Sequence, residues 1–278
     1  MQLIKISIER LLMTDKGTKQ GPNVRIRAFR AIDEPETCER FITGHTQVLT
    51  SIGVTKVTSS KNAWAINPNS FVIIVESLNG SEVFGGGRVQ VAGGTEALPI
   101  EQATGAMDPS IYELVKKQAL HGTGEICGLW NSQTLAGYGI GTPLLIRTLI
   151  AMASQLGIHS LFALCAPYTV KPVVNCGMEL VESIGNRGTF YYPKLDLIAT
   201  AMILKDTNDL RKAQQEDREM IERLRIGPNN LSINELKNRE ISIDFKIQIP
   251  KLDQWNLAWA IESAIGATSH FGAVINQG

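Results

Sequence analysis

Three glycines alternate through Ala136-Gly137-Tyr138-Gly139-Ile140-Gly141, which runs directly into Thr142 and Pro143. Glycines at that spacing let the main chain curl until several N–H groups converge on one point, a geometry suited to phosphate oxygens. The next stretch reads as an amphipathic helix, with Leu144, Leu145, Leu149, Met152, Ala153 and Leu156 on one face. Its first N–H groups have no internal partner and carry the positive end of the helix dipole. Thr142 is placed to cap that end, and Pro143 costs nothing there because its missing N–H would be unbonded anyway. A short apolar strand, Ile126-Cys127-Gly128-Leu129-Trp130, and a polar turn, Asn131 to Thr134, lead into the loop. Strand, glycine loop and helix start together make an anion site for a phosphate or pyrophosphate. A glycine-rich bend tucked under a core helix would have the same composition.

Two familiar phosphate patterns fail on spacing. A Walker-type loop ends in Gly-Lys-Ser/Thr, and Gly141-Thr142-Pro143 lacks the lysine. A dinucleotide fingerprint needs glycine at the first, third and sixth positions; counted from Gly137 or Gly139, the sixth is Thr142 or Leu144. Two further side chains could act on a ligand beside this loop. Glu125 heads the strand that leads to it, and Arg88 lies on a strand opened by the triplet Gly85-Gly86-Gly87. Either has a plainer reading, as a strand-end carboxylate and as one half of a surface ion pair.

These residues need a scaffold, and 278 residues suffice for a sizeable core. Hydrophobic residues make up 44% and charged ones 19%, ordinary for a globular chain. Lys+Arg and Asp+Glu both number 27, so no overall field recruits nucleic acid or an acidic membrane surface. No apolar run approaches a membrane span, and Met1 to Met13 lacks the pattern of a secretory signal. Cys38, Cys127, Cys165 and Cys176 are too dispersed for a metal site and are read as packed thiols, and the four histidines are scattered. A cytoplasmic location and no bound metal are the expectations.

Along the chain, Met1 to Met13 reads as a short amphipathic helix or lead strand, and Val24 to Arg30 alternates as a strand. Asp33-Glu34-Pro35-Glu36 opens a helix that runs to Leu49 or Ile52, weakened by Gly44. Phe71 to Glu76 and Val83 to Val91 are strands joined by a hairpin turn at Leu78-Asn79-Gly80-Ser81. A polar stretch from Ala92 to Ser110 leads to a helix from Asp108 to about Leu120. After the central helix Gly157 is its C-cap, Ser160 to Ala166 a strand, and Pro167 to Asn175 a short crossing. Gly177 to Val181 and Leu197 to Lys205 complete the block. Beyond it come a charged helix over Asp209 to Arg225, a breaker at Gly227-Pro228-Asn229-Asn230, and a strand from Ile241 to Ile249. Leu252, Trp255 and Trp259 are spaced for one helix face.

The loop, with its adjoining Leu144-Leu145, resembles the pyrophosphate loop of the GNAT superfamily of N-acetyltransferases, usually Arg/Gln-x-x-Gly-x-Gly/Ala. Ala136 stands where that family has Arg or Gln, which leaves the backbone contacts. The order of elements from Val24 to Lys205, Leu156-Gly157-Ile158 before a strand, and Cys176-Gly177-Met178-Glu179 after it are similar to the same family. The resemblance implies an α/β (α+β type) GNAT fold, a mixed central sheet with splayed parallel strands and flanking helices. Residues 1–206 would be the acyltransferase domain. Residues 207–278 would be a helix-strand-helix extension that covers the sheet, extends it or makes a homodimer.

The resemblance also implies chemistry: N-acyl transfer from acyl-CoA, acetyl-CoA first among donors, to the amine of a small molecule or peptide. On this sequence the pantetheine arm would lie along Leu129-Trp130-Asn131, with a backbone amide near Leu129 or Trp130 holding the developing oxyanion. The pyrophosphate would rest on the loop, Ala136, Gly137, Tyr138, Gly139, Ile140, Gly141 and Thr142. Glu125 would be the general base. The family's usual tyrosine acid falls at Val173, with Tyr168, Cys165 or Cys176 as substitutes. A second resemblance is to the autoinducer (acyl-homoserine lactone) and N-acyl amino acid synthase branch. Gly85-Gly86-Gly87-Arg88-Val89, Leu98-Pro99-Ile100-Glu101 and Glu125 carry it, and it would make Arg88 a substrate contact and the acyl chain longer. A GNAT-like protein that binds acyl-CoA without turnover is the remaining alternative.

Overall fold

The structure, a computed structural model, describes residues 19–20, 23–54, 57–58, 61–135, 138–236 and 239–275. The expected helix or strand at Met1–Met13 lies outside them. The order is β1 (Lys19–Gln20), β2 (Val24–Arg30), α1 (Pro35–Ser51), β3 (Ser70–Ser77), β4 (Val83–Val91), α2 (Pro99–Thr104), α3 (Ser110–Ala119) and β5 (Thr123–Asn131). Then come α4 (Thr142–Ala153), β6 (Ser160–Cys165), α5 (Pro167–Asn175), β7 (Glu179–Leu180), β8 (Thr189–Tyr191), β9 (Ile198–Leu204), α6 (Gln215–Ile226), β10 (Asn229–Leu236), β11 (Arg239–Lys246) and α7 (Leu257–Ile275). The eleven strands of the described residues join one mixed sheet, ordered β1-β11-β2-β3-β4-β5-β6-β9-β7, with β10 on β11 and β8 on β9.

The glycine triplet shows how helices reach this sheet. A Cβ on Gly86 would lie 2.2 Å from the Ile73 carbonyl oxygen and 2.9 Å from the Phe41 ring, and one on Gly87 would lie 2.8 Å from Leu149. Neighbours in a strand point to opposite faces, so α1 and α4 press on opposite sides of one glycine-rich strand. Under α4 and α6 the core holds Ile26, Ile73, Val89, Ile126, Leu145, Leu149, Ile221 and Leu224. Under α1 it holds Phe29, Phe41, Trp64, Ile74 and Trp130, continued by Leu98, Ile100, Ile111 and Phe162. Gly44 is no weak point in α1: a Cβ there would sit 2.2 Å from the Trp130 indole.

The ladder between β4 and β5 is broken at one place. Gly86 pairs with Trp130 but Arg88 pairs with Cys127, so β5 carries one extra residue opposite Gly87. Gly128 occupies this bulge at φ +60°, a backbone conformation that glycine adopts without strain. Parallel pairing of β5 with β6 covers only Thr123–Glu125 against Ser160–Phe162, after which the two strands part. The bulge bends β5, and a splay opens beyond it.

Several expectations need correction. The 92–110 stretch contains α2, held at its start by Glu101, whose Oε2 accepts the Leu98 N–H at 2.7 Å. α6 begins at Gln215, not Asp209, because Asp206 and Asp209 bond the N–H groups of Asn208 and Arg211 and turn the chain locally. The strand expected over Gly177–Val181 is only Glu179–Leu180, with Gly177 at φ +93°. The tail holds a hairpin, β10–β11, in place of the single strand expected, and β11 pairs in parallel with β2. Leu252, Trp255 and Trp259 share no helix: the first lies in a 3-10 turn, the second ends that turn, and the third is on α7, 70% exposed. Trp255 turns inward, edge-on to Phe71 at 5.1 Å, and donates to Asn69 Oδ1 at 2.9 Å.

Candidate active site

A cavity of about 490 Å³ occupies the splay. β5 contributes Glu125, Ile126, Cys127, Gly128 and Leu129, and β6 contributes Ala163, Leu164 and Cys165. Leu49 of α1, Ile52 just past its end, Val173 from α5 and Ile198 from β9 close it with apolar surface. The sheet that buries most residues on both faces is here pried open between two parallel strands, and backbone and side chains of both line one space.

Glu125 is 2% exposed, and its Oε2 accepts the Ile100 N–H at 2.6 Å. Burial pushes its carboxyl up to about 8, against the pull of that hydrogen bond and of the Arg88 charge. Glu101, one residue beyond Ile100, is raised to about 7, again by burial first. His45 of α1 faces the same cavity and goes the other way, down to about 4, because burial and Arg88 both disfavour its cation. A carboxyl that gives up its proton near pH 8 is suited to take one from an amine.

Arg88 does not sit on a surface strand. It is 1% exposed, its guanidinium stacks 4.7 Å from the centre of the Trp64 ring, and it is not among the residues that line the cavity. Gly128 makes room for it, since a Cβ there would lie 2.5 Å from Arg88 Nη1.

Of the residues expected along a donor, Leu129 lines the cavity, while the Trp130 side chain is core, edge-on to Phe41 at 5.7 Å. Only the main chain of Trp130 is therefore left for contact with a ligand. Asn131 donates through Nδ2 to the Ile140 carbonyl and ties the end of β5 to the loop. Tyr138 is half-buried, Gly139 turns at φ +81°, Ile140 is plugged into the core, and Gly141 is the N-cap of α4. Ala136 and Gly137 lie outside the described residues. Thr142 does not cap: it is the first helical residue, and no side chain caps this end. A helix start preceded by a glycine turn and left without a side-chain cap fits an anion.

The substitutes for the missing tyrosine separate cleanly. Val173 occupies the wall, Tyr168 stands at the mouth at 71% exposure, and Cys165 lines the cavity with its thiol pushed up to about 12 by burial. Cys176 is elsewhere, its Sγ 3.8 Å from Asp217 Oδ1 between α5 and α6. Tyr192 is a residue that sequence reasoning misses. It lines the cavity and donates from its hydroxyl to Thr58 Oγ1 at 3.1 Å, across 134 residues of sequence. Nothing in Tyr191-Tyr192-Pro193 marks it, because its role depends on how β9 returns the chain to β6.

No protein-family model matches the sequence, and no curated protein aligns with it. Solved structures do. The N-acyl amino acid synthase FeeM from uncultured soil microbes superposes with a TM-score of 0.52 at 14% identity, over 71% of this chain and 98% of that one. This is the GNAT fold. The acyl-homoserine lactone synthase LasI aligns at 0.48, with 15% identity over 70% of this chain and 98% of its own. Mosquito arylalkylamine N-acetyltransferase like 5b aligns at 0.45, with 12% identity over 66% and 99%. At such identities the likeness is one of fold. In this chain the GNAT sheet is extended on the β2 side by β11 and β10.

Proposed function

We propose that this GNAT-fold protein is an N-acyltransferase that moves an acyl group from a coenzyme A thioester to a primary amine. The observation that carries the reading is the cavity in the β5–β6 splay, with Glu125 on its wall and Leu129 and Asn131 leading from it to the start of α4. The amides from Gly139 to Thr142 would hold the pyrophosphate, with Gly137 and Ala136 completing the loop. The main chain of Leu129-Trp130-Asn131 would take the pantetheine arm. The donor supplies the activated carbonyl. Glu125 removes a proton from the amine, and the polarising amides of the bulged strand face the carbonyl oxygen.

Acetyl is the first expectation for the acyl group from the sequence. One observation favours a longer chain: the cavity walls are dominated by Leu49, Ile52, Val54, Val57, Ile126, Leu129, Ile146 and Ile198, more apolar surface than two carbons fill. Thermal denaturation with free CoA, acetyl-CoA, octanoyl-CoA, NAD and ATP tests both statements. A ligand at a hundred times its dissociation constant adds about 2.7 kcal/mol to the folded state. Stabilisation by CoA species alone is expected, growing with acyl length if the apolar walls take the chain. Stabilisation by NAD or ATP alone, or by none of the five, refutes the reading.

A further inference from the structure

His45 is a polar side chain that the proposed chemistry leaves unused. It lies on α1, 5% exposed, and lines the cavity beside Leu49, Gly128 and Leu129. The helix holds it close over the bulge of β5. Phe41, one turn earlier, comes within 3.9 Å of the place that a Cβ on Gly128 would take, and its ring lies 6.0 Å from the imidazole. A Cβ on the adjacent Gly44 would meet the Trp130 indole at 2.2 Å, so α1 sits directly on the strand there. Among the described residues no hydrogen-bond partner reaches either ring nitrogen of His45. Neither nitrogen is sealed in the core, and the imidazole opens on the cavity. Buried polar groups are almost always paired, so an unpaired one on a cavity wall is suited to a ligand.

Charge narrows what this ring can do. Burial and the neighbouring Arg88 both disfavour the imidazolium and bring the group down to about 4. At neutral pH the ring is therefore an uncharged N–H donor and a poor proton acceptor. Arg88 lies behind the wall, stacked on Trp64, with Nη1 2.5 Å from the place of a Cβ on Gly128. Its positive charge favours negative charge developing at the bulge.

Resting on the acyltransferase reading, we propose that His45 is a catalytic residue that donates its ring N–H to the thioester carbonyl oxygen at the bulge of β5. The amine nitrogen, relieved of one proton by Glu125, attacks the carbonyl carbon, and the C–N bond forms. The π pair of the carbonyl moves onto oxygen, where the imidazole N–H and a strand amide hold it, with the Arg88 charge behind them. The pair then returns, the C–S bond breaks, and the departing thiolate takes the second proton from nitrogen. His45 gains and loses no proton in the cycle.

Three substitutions test the assignment. His45→Phe keeps a ring beside Phe41 and removes both nitrogens, while His45→Asn and His45→Gln each keep an N–H donor near one ring-nitrogen position. The full chain is assayed for thiol release from acetyl-CoA and octanoyl-CoA, with phenethylamine, phenylalanine and glycinamide as probe amines. We expect His45→Phe to lower kcat by about 100- to 1,000-fold with KM for donor and amine little changed. The better of the two amide variants should recover to within about tenfold of the wild type. Infrared difference spectra of bound donor, isotopically labelled at the carbonyl and recorded without amine, follow the hydrogen bond itself. The C=O stretch should be lowered in the wild type and in that amide variant, and should return to its solution value in His45→Phe. This readout decides alone if none of the three amines is acylated. Melting curves with and without donor check that each variant folds and binds; if His45→Phe does not fold, His45→Leu replaces it. A kcat for His45→Phe within about threefold of the wild type, an effect confined to KM for the amine, or an unshifted C=O stretch in the wild type overturns the role of His45 alone. No donor binding by the wild type overturns the acyltransferase reading and this inference with it.

Discussion

Glu125 is the residue on which the proposed chemistry turns, and its burial makes two opposed predictions. As a base it must be ionised, so activity should rise with pH through about 8, the value to which burial lifts its carboxyl. Glu125→Gln should lower kcat/KM by about 100- to 10,000-fold and abolish that rising limb in a pH–rate profile. Stability runs the other way. Between the unfolded value near 4.5 and about 8 the folded protein binds more protons than the unfolded chain, so stability falls as pH rises through that window. Glu125→Gln removes the penalty while its amide oxygen can still accept the Ile100 N–H. Its melting temperature should therefore exceed the wild type's at pH 8, by more than at pH 5. A variant equally shifted at both pH values would mean that Glu125 is not buried as described. Position 125 is legible in the sequence as the head of a strand before a glycine loop. Its burial is not, because the carboxyl is covered by α2, from a segment that reads as polar linker. Arg88 shows the same limit: alternation assigns a face, and only the approach of Trp64 and the missing Cβ of Gly128 make that face an interior.

The elements explain why the site exists at all. The bulge at Gly128 bends β5, and the triplet Gly85–Gly87 lets α1 and α4 clamp the neighbouring strand from both sides. Gly86→Ala would drive a methyl group into the Ile73 carbonyl, a backbone atom, and is expected to cost about 3 kcal/mol or more in urea denaturation. Gly87→Ala meets the ends of Leu149 and Leu129, which can shift, and should cost clearly less. Equal losses would refute the two-sided clamp. Gly128→Ala forces a methyl into a left-handed conformation 2.5 Å from Arg88 Nη1. The strain alone is about 1–2 kcal/mol. Because the bulge opens the splay, catalytic loss should exceed what reduced stability explains, measured as kcat/KM on the folded fraction. Periodicity marks nearly every strand and helix from Val24 to Leu204, since those faces are steadily apolar. It fails where ends are set by local side-chain bonds, as at Asp206 and Asp209, and where α2 is too short for a repeat to show.

For the whole molecule, the question is whether residues 207–278 are an appendage. Physical contact argues for dependence. β11 pairs with β2, Ile243 and Phe245 are fully buried beside it, and Trp255 seals Phe71. α7 crosses so close to Gly93 that a Cβ there would lie 1.9 Å from the Ala260 carbonyl oxygen. A chain ending at residue 206 would expose β2 as a new edge and uncover that apolar surface. We expect it to be insoluble or to lose its cooperative thermal transition; a soluble fragment 1–206 with an unchanged melt would establish an independent domain. Among the described residues no helix is long and apolar enough to cross a membrane.

Local pattern carries a great deal here: the strand and helix order, the glycine loop before α4, and the carboxylate at the head of β5 are all consequences of near-neighbour chemistry. The GNAT architecture can be anticipated from that order because glycine spacing and apolar periodicity act over a few residues. Four features are decided only by distant parts of the chain meeting. They are the burial that tunes Glu125, the retreat of Arg88 behind the wall, the arrival of Tyr192 beside Thr58, and the joining of β11 to β2. Each depends on contacts between residues tens to hundreds of positions apart, and no local spacing encodes which side chains such contacts will cover.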